Sequence, residues 1–245
     1  MKQGIYAITE NTPLAESVFR MRLSGDTSAV TAPGQFINIR LAGHYLRRPI
    51  SVCDWDGGSI TIIYKVLGLG TADMSALQPG DTLDILTGLG NGFDMGDAGD
   101  APLLLGGGVG TPPMYALAKR LLSMWKSVHV ALGFNTAADV FYERELRALG
   151  AEVTVATMDG SYGAKGFVTD AAAGLLPTYY YACGPEPMLK AVYRATKGEG
   201  QLSFEKRMGC GFGACMGCTC KTVTGYKRIC RDGPVLRKEE ILWED

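Results

Sequence analysis

The stretch Pro102-Leu103-Leu104-Leu105-Gly106-Gly107-Gly108-Val109-Gly110-Thr111-Pro112-Pro113 decides the architecture of this 245-residue chain. A short apolar run is followed by a glycine-rich turn and then by prolines that suit the first turn of a helix. A strand that passes through such a turn into a helix can present free amides to a pyrophosphate. G-x-G-x-x-P is a weak signal by itself, and its place between strand and helix strengthens it. The helix runs to about Trp125. After it come strand-like Ser127–Phe134, a helical period over Phe141–Leu149, a strand over Ala151–Ala156, a helical period over Phe167–Leu176, a strand at Tyr179–Ala182 and a helix over Pro187–Thr196. Strands alternating with helices predict a parallel sheet with crossover helices. Cys183-Gly184-Pro185 follows the last of these strands, where loops line the ligand crevice of such a sheet. Beyond Phe134, the run Asn135-Thr136-Ala137-Ala138-Asp139 has no Lys or Arg to meet a 2′-phosphate, which favours NAD over NADP.

Upstream, the pattern is different. Ile5–Ile8, Val18–Leu23, Gln35–Ile39, Ser59–Tyr64 and Thr82–Ile85 are short apolar runs separated by turn residues such as Pro33-Gly34 and Pro79-Gly80-Asp81. That spacing predicts an all-β barrel over residues 1–98. Within it, Arg48 and Ser51 form R-x-x-S in Arg48-Pro49-Ile50-Ser51. The guanidinium suits a phosphate, and the hydroxyl suits a flavin ring or its ribityl chain. Further on, Lys65-Val66-Leu67 leads from a strand into Gly68-Leu69-Gly70-Thr71, whose amides and hydroxyl suit a pyrophosphate. Each motif alone is also compatible with solvated arginines and an ordinary turn.

Downstream of about Gln201 the chain is short, glycine-rich and cysteine-rich, with too little apolar sequence for its own core. Five of the seven cysteines lie between Cys210 and Cys230. Cys210, Cys215 and Cys218 have the spacing C-x4-C-x2-C, and Cys230 follows. This is the arrangement of plant-type [2Fe-2S] ferredoxins. A structural zinc site accepts four thiolates too, and Cys215-x2-Cys218 alone would suit it. Cys220 is a surplus thiol between the third and fourth ligands.

Composition excludes other classes. The chain is 47% hydrophobic and 20% charged, with a formal net charge of −1, which does not fit nucleic acid as the main partner. The start has no signal-peptide pattern, and no apolar run approaches the roughly 20 residues of a membrane span. A cytoplasmic location without membrane contact is expected. No Ser-His-Asp or Cys-His constellation is present, and the two histidines, His44 and His129, read as structural or surface residues. No catalytic acid or base is expected of this chain.

Together these motifs resemble the ferredoxin-reductase family. Within it, they resemble the electron-transfer subunits of NAD-dependent dihydroorotate dehydrogenases. The carriers are Leu46–Ser51, Gly88–Phe93, Gly106–Pro113, Asp159–Gly163, Cys183–Met188 and the cysteine segment ending Cys230-Arg231-Asp232-Gly233-Pro234-Val235. The resemblance implies a flavin-binding barrel (1–98), an NAD-binding α/β domain (99–200) and a cluster-binding segment (201–245). It implies that Arg48, Pro49, Ile50, Ser51, Gly70 and Thr71 contact FAD, with Lys65, Val66 and Leu67 lining its site. Gly107, Gly108, Gly110, Cys183, Gly184 and Pro185 would serve NAD, and Cys210, Cys215, Cys218 and Cys230 the cluster. It further implies an FMN-containing catalytic partner that oxidises dihydroorotate, in a heterotetramer of two copies of each subunit. The same motifs would serve an iron-sulfur flavin reductase for another partner, of ferredoxin, glutamate synthase or hydrogenase type.

Overall fold

A computed structural model describes residues 1–243, so residues 244 and 245 of the expected C-terminal segment lie outside it. The first six strands are β1 (Lys2–Ala15), β2 (Val18–Ser24), β3 (Phe36–Arg40), β4 (Arg48–Trp55), β5 (Ser59–Lys65) and β6 (Thr82–Leu89). They close into an antiparallel barrel in the order β1-β2-β5-β4-β3-β6. Alternation builds its core: Ile37 and Ile39 of β3, Ile60 and Ile62 of β5, and Met21 and Leu23 of β2 are all essentially inaccessible. One helix, α1 (Leu69–Ala76), follows β5. The Gly68-Leu69-Gly70-Thr71 stretch therefore opens a helix.

The second unit contains β7 (Leu103–Gly107), α2 (Thr111–Ser123), β8 (His129–Phe134), α3 (Glu143–Ala148), β9 (Glu152–Thr157), β10 (Ala164–Lys165), α4 (Val168–Ala171), β11 (Tyr180–Cys183) and α5 (Glu186–Ala195). Beyond it lie β12 (Gly200–Ser203), β13 (Thr219–Thr222), β14 (Gly225–Arg228), α6 (Ile229–Asp232) and β15 (Val235–Arg237). The sheet runs β10-β9-β8-β7-β11-β12-β15, and β15 is its one antiparallel member. β7 and β11 are buried along their whole lengths, as central strands covered on both faces must be.

Strand order reverses between β7 and β11, and the turns after these two strands meet there. That is the switch point at which such sheets hold ligands. The sheet also brackets the cysteine segment: the chain leaves it through β12 and returns as β15. Asn91, just past the barrel, fixes the return by bonding both polar groups of Val235 (2.8 and 3.1 Å). The barrel and the α/β unit share one core, which includes Cys53 and Ile63 from the barrel and Leu117 and Leu121 from α2. Lys119 pairs with Asp54 at 2.7 Å, and the Arg120 guanidinium lies 4.9 Å above the Trp55 ring. Among the described residues no helix is long and apolar enough to cross a membrane.

Candidate functional site

A cavity of about 510 Å³ opens at the switch point. Gly107, Gly108 and Gly110 line one side, and Gly184, Pro185 and Met188 another. Lys65 and Val18 reach it from the barrel. The two turns interlock tightly: a Cβ on Gly110 would collide with the carbonyl group of Cys183. Only glycine allows the backbones this close, so the cleft is shaped by main chain. Pro112 and Pro113 in the first turn of α2 bring no N–H, which leaves the glycine turn to supply amides. Beside it the Thr111 hydroxyl is buried without a hydrogen-bond partner.

Cys183 stands behind this lining. Its thiol is buried and pushed up to about 12, first by burial and then by the nearby Glu205 carboxylate. Glu205 lines the cavity. Asn135 and Asp139 reach the cavity too, but Asp139 is turned back to the Thr136 amide and hydroxyl (both 3.0 Å). No Arg or Lys stands among the lining residues from β8 or the turn after it.

On the barrel, Arg48 begins β4 and its guanidinium lies across Gly70, where any Cβ would displace it. Two anchors hold the guanidinium: the carbonyl of Leu46, and His44 Nδ1 at 3.0 Å. His44 Nε2 meets Asp73 of α1 at 2.6 Å. An imidazole that accepts at Nδ1 and donates at Nε2 satisfies both bonds. The Thr71 hydroxyl takes the amides of Leu67 (2.9 Å) and Gly68 (3.3 Å) and donates to the Gly68 carbonyl. In these bonds it caps the helix, beside the Arg48 guanidinium that lies across Gly70. Ser51 stands opposite Phe36, and Pro49 opposite Asn38, on the outward face of β3 and β4, while Ile50 packs against the barrel core. The Val66 amide is tied to the Ser17 carbonyl at 2.8 Å, and Leu67 is 80% exposed.

The cysteine segment puts its thiols in two pairs. Cys210 Sγ accepts the amides of Ala214 and Cys215 (3.2 and 3.4 Å), and Cys215 Sγ accepts the amide of Cys210 (3.4 Å). Cys218 Sγ accepts the amide of Cys230 at 3.4 Å. Burial alone would raise Cys210, but the amides of Cys215, Phe212 and Ala214 pull it down to about 6. Cys230 is pushed up to about 12 by burial and by Cys218. No cysteine of the chain forms a disulfide. Among the described residues, no three metal-binding side chains converge on one ion position. Two thiol pairs fit two irons better than one tetrahedral zinc. Cys220 lies on β13 outside both pairs, half-buried.

The comparisons with known proteins agree with this layout. Residues 205–242 match the iron-sulfur cluster binding domain of dihydroorotate dehydrogenase B, and residues 104–194 match the oxidoreductase NAD-binding domain. A relative from Geobacillus sp. (strain WCH70) is 43% identical, covering 99% of both chains. Another, from Geobacillus thermodenitrificans (strain NG80-2), is 47% identical over 94% of both. Each bears the name dihydroorotate dehydrogenase B (NAD(+)), electron transfer subunit. This chain belongs to that family.

A solved structure of an NADH-dependent reduced ferredoxin-NADP oxidoreductase, studied for flavin-based electron bifurcation, superimposes with a TM-score of 0.89. It is 31% identical, over 98% of this chain and 90% of its own. The family assignment makes the chain an NAD-linked oxidoreductase subunit that works beside a catalytic subunit. Three features of this family member were not singled out from sequence. His44, read from sequence as a structural or surface residue, backs the Arg48 guanidinium and is itself held by Asp73. Glu205 lines the nucleotide cavity from the start of the cysteine segment. Asn38 reaches that segment from the barrel.

Proposed function

We propose that this chain carries electrons from dihydroorotate oxidation, performed on an FMN-containing partner subunit, to NAD in pyrimidine biosynthesis. When bound, a [2Fe-2S] cluster supplies one-electron transfer, FAD converts between single electrons and a hydride pair, and NAD accepts the hydride. The two thiol pairs of Cys210 with Cys215 and Cys218 with Cys230 carry this reading, because they fit a two-iron cluster in the segment the family shares.

Each part of the chain has a share in the work. The amides around Cys210 stabilise its thiolate and would tune a cluster held there. Arg48, held by His44, would clamp the FAD phosphates beside α1, and Pro49, Ile50, Ser51, Gly70, Thr71 and the Lys65-Val66-Leu67 strand end would complete that site. Gly107, Gly108, Gly110, Gly184 and Pro185 would let the dinucleotide lie against main chain, with Cys183 behind them. The apolar walls from Phe134, Phe141 and Phe167 would keep water from the transferring hydride. On this reading residues 1–98 form the flavin barrel, 99–200 the nucleotide domain and 201–245 the cluster segment. The assembly is two copies of each subunit, in the cytoplasm.

The test is anaerobic formation of NADH from dihydroorotate, with and without the catalytic subunit. NADH appearing only with both chains, and lost in Cys215→Ser, supports the relay. A chain that binds FAD and iron yet never yields NADH with that subunit would point to another redox partner.

A further inference from the structure

Asn38 sits where the flavin strand and the cysteine loop meet. On β3 it stands opposite Pro49 of β4, one pleat from the Phe36 and Ser51 pair. Ile37 and Ile39 point into the barrel, so Asn38 points outward. It is nevertheless only 1% exposed, because the cysteine loop lies on it. Its Nδ2 donates to the carbonyl of Cys210 at 3.0 Å, across 172 residues of sequence. The loop is shaped around this amide: a Cβ on Gly211 would fall on Nδ2, and Gly211 itself has φ +78°. The Asn38 carbonyl is braced by Arg47 (3.3 Å), which in turn pairs with Asp84 at 3.0 Å.

The other half of the side chain is anomalous. Oδ1 is buried and has no partner. Flipping the amide would set two carbonyl oxygens against each other, so the Cys210 carbonyl fixes the orientation. A leucine would fill the same space without leaving an orphan oxygen. What the asparagine adds is the bond to Cys210.

The geometry points to Asn38 as a positioning residue that holds the first cluster thiol in register with the flavin strand. This rests on the function proposed above. Cys210 is joined through one hydrogen bond to β3, and through the β3–β4 ladder to Pro49, with Ser51 two residues along the same face. Electron exchange between two bound groups falls steeply with their separation, so a loop freed from this anchor would pass electrons more slowly.

The test uses the FAD- and iron-loaded chain with Asn38→Leu. NADH is mixed in anaerobically, and flavin bleaching and reduction of the cluster are followed together, with hydrogen exchange of amides 209–215 measured separately. The ratio of cluster reduction rate to flavin bleaching rate should fall about tenfold. Exchange at 209–215 should rise about fivefold. Gly211→Ala strains the same bond from the loop side and should lower the ratio in the same direction. Loss of iron from Asn38→Leu with FAD retained also supports the role. A loaded variant with unchanged ratio and unchanged exchange would overturn it, and so would joint loss of FAD and iron, which marks a residue of general barrel stability. If the parent chain shows no reducible cluster, the proposed function fails instead.

Discussion

The nucleotide turn and the cysteine loop are both glycine-rich and both built to hold a ligand, yet they get their order from different sources. The turn after β7 is locked by main chain against main chain, at Gly110 and Cys183, above strands that are wholly buried. The Cys210–Cys215 half of the cysteine loop is held by side chains instead, with Asn38 on the Cys210 carbonyl (3.0 Å) and Arg228 on the Gly213 carbonyl (2.7 Å), while Cys215 is exposed and Phe212 is 44% exposed. Its internal bonds run mostly to sulfur. The Cys218 and Cys230 half is intermediate, packed with Phe36, Leu86 and Ile229 in the core behind the sheet. A dinucleotide that comes and goes needs a preformed site. A resident cluster can itself supply the order of the loop that holds it.

The sharpest way to break this contrast is to strip the iron. In the stripped chain, amides 209–217 should exchange more than about 100-fold faster, while the turn 106–111 keeps its protection. Equal loosening of both would show that the loop is as self-supporting as the turn. Gly110→Ala attacks the other side. A methyl group driven against the Cys183 backbone should destabilise the α/β unit by about 3 kcal/mol and abolish NADH oxidation, as read by thermal unfolding and steady-state rate. A fully active variant would mean that the interlock is dispensable.

Alkylation of the iron-free chain at pH 8 sharpens the comparison at the thiols. Cys215 is exposed and should label. Cys183, pushed up to about 12 chiefly by burial, is protonated there and should stay unlabelled until the pH approaches that value or the chain unfolds. Mass spectrometry separates the two, and early labelling of Cys183 would contradict its burial. The smallest effect is expected at His44. His44→Ala frees the Arg48 guanidinium from one of its two anchors and should weaken FAD binding about fivefold, the value of one hydrogen bond. Flavin fluorescence titration measures it, and unchanged affinity would leave His44 a surface residue.

Much of this was legible in sequence because the signals are local. The alternation of Ile37 and Ile39, or of Ile60 and Ile62, foretells a barrel wall. The run from Leu103 to Pro113 carries its strand, turn and helix start in one window. The cysteine spacing points to a [2Fe-2S] loop, with zinc as the other reading. What was not legible is long-range. β12 and β15 are four and three residues long, and each becomes a strand only through its sheet neighbours. The cap that the Thr71 hydroxyl makes for α1 depends on the chain turning into a helix at Gly68, which the glycines there did not announce. Asn38 has the pattern of a solvent-facing polar residue on a half-buried strand, and its cover arrives from the far end of the chain.

One chain joins an NAD-linked flavin to an iron-sulfur cluster. The most direct measurement is an anaerobic NADH titration of the loaded chain alone, followed by visible absorbance and electron paramagnetic resonance. The expected result is uptake of roughly three electrons per chain, two at the flavin and one at the cluster, with the reduced-cluster signal lost in Cys215→Ser. Uptake of roughly two electrons at the flavin, with a fully loaded cluster that stays oxidised, would contradict the account.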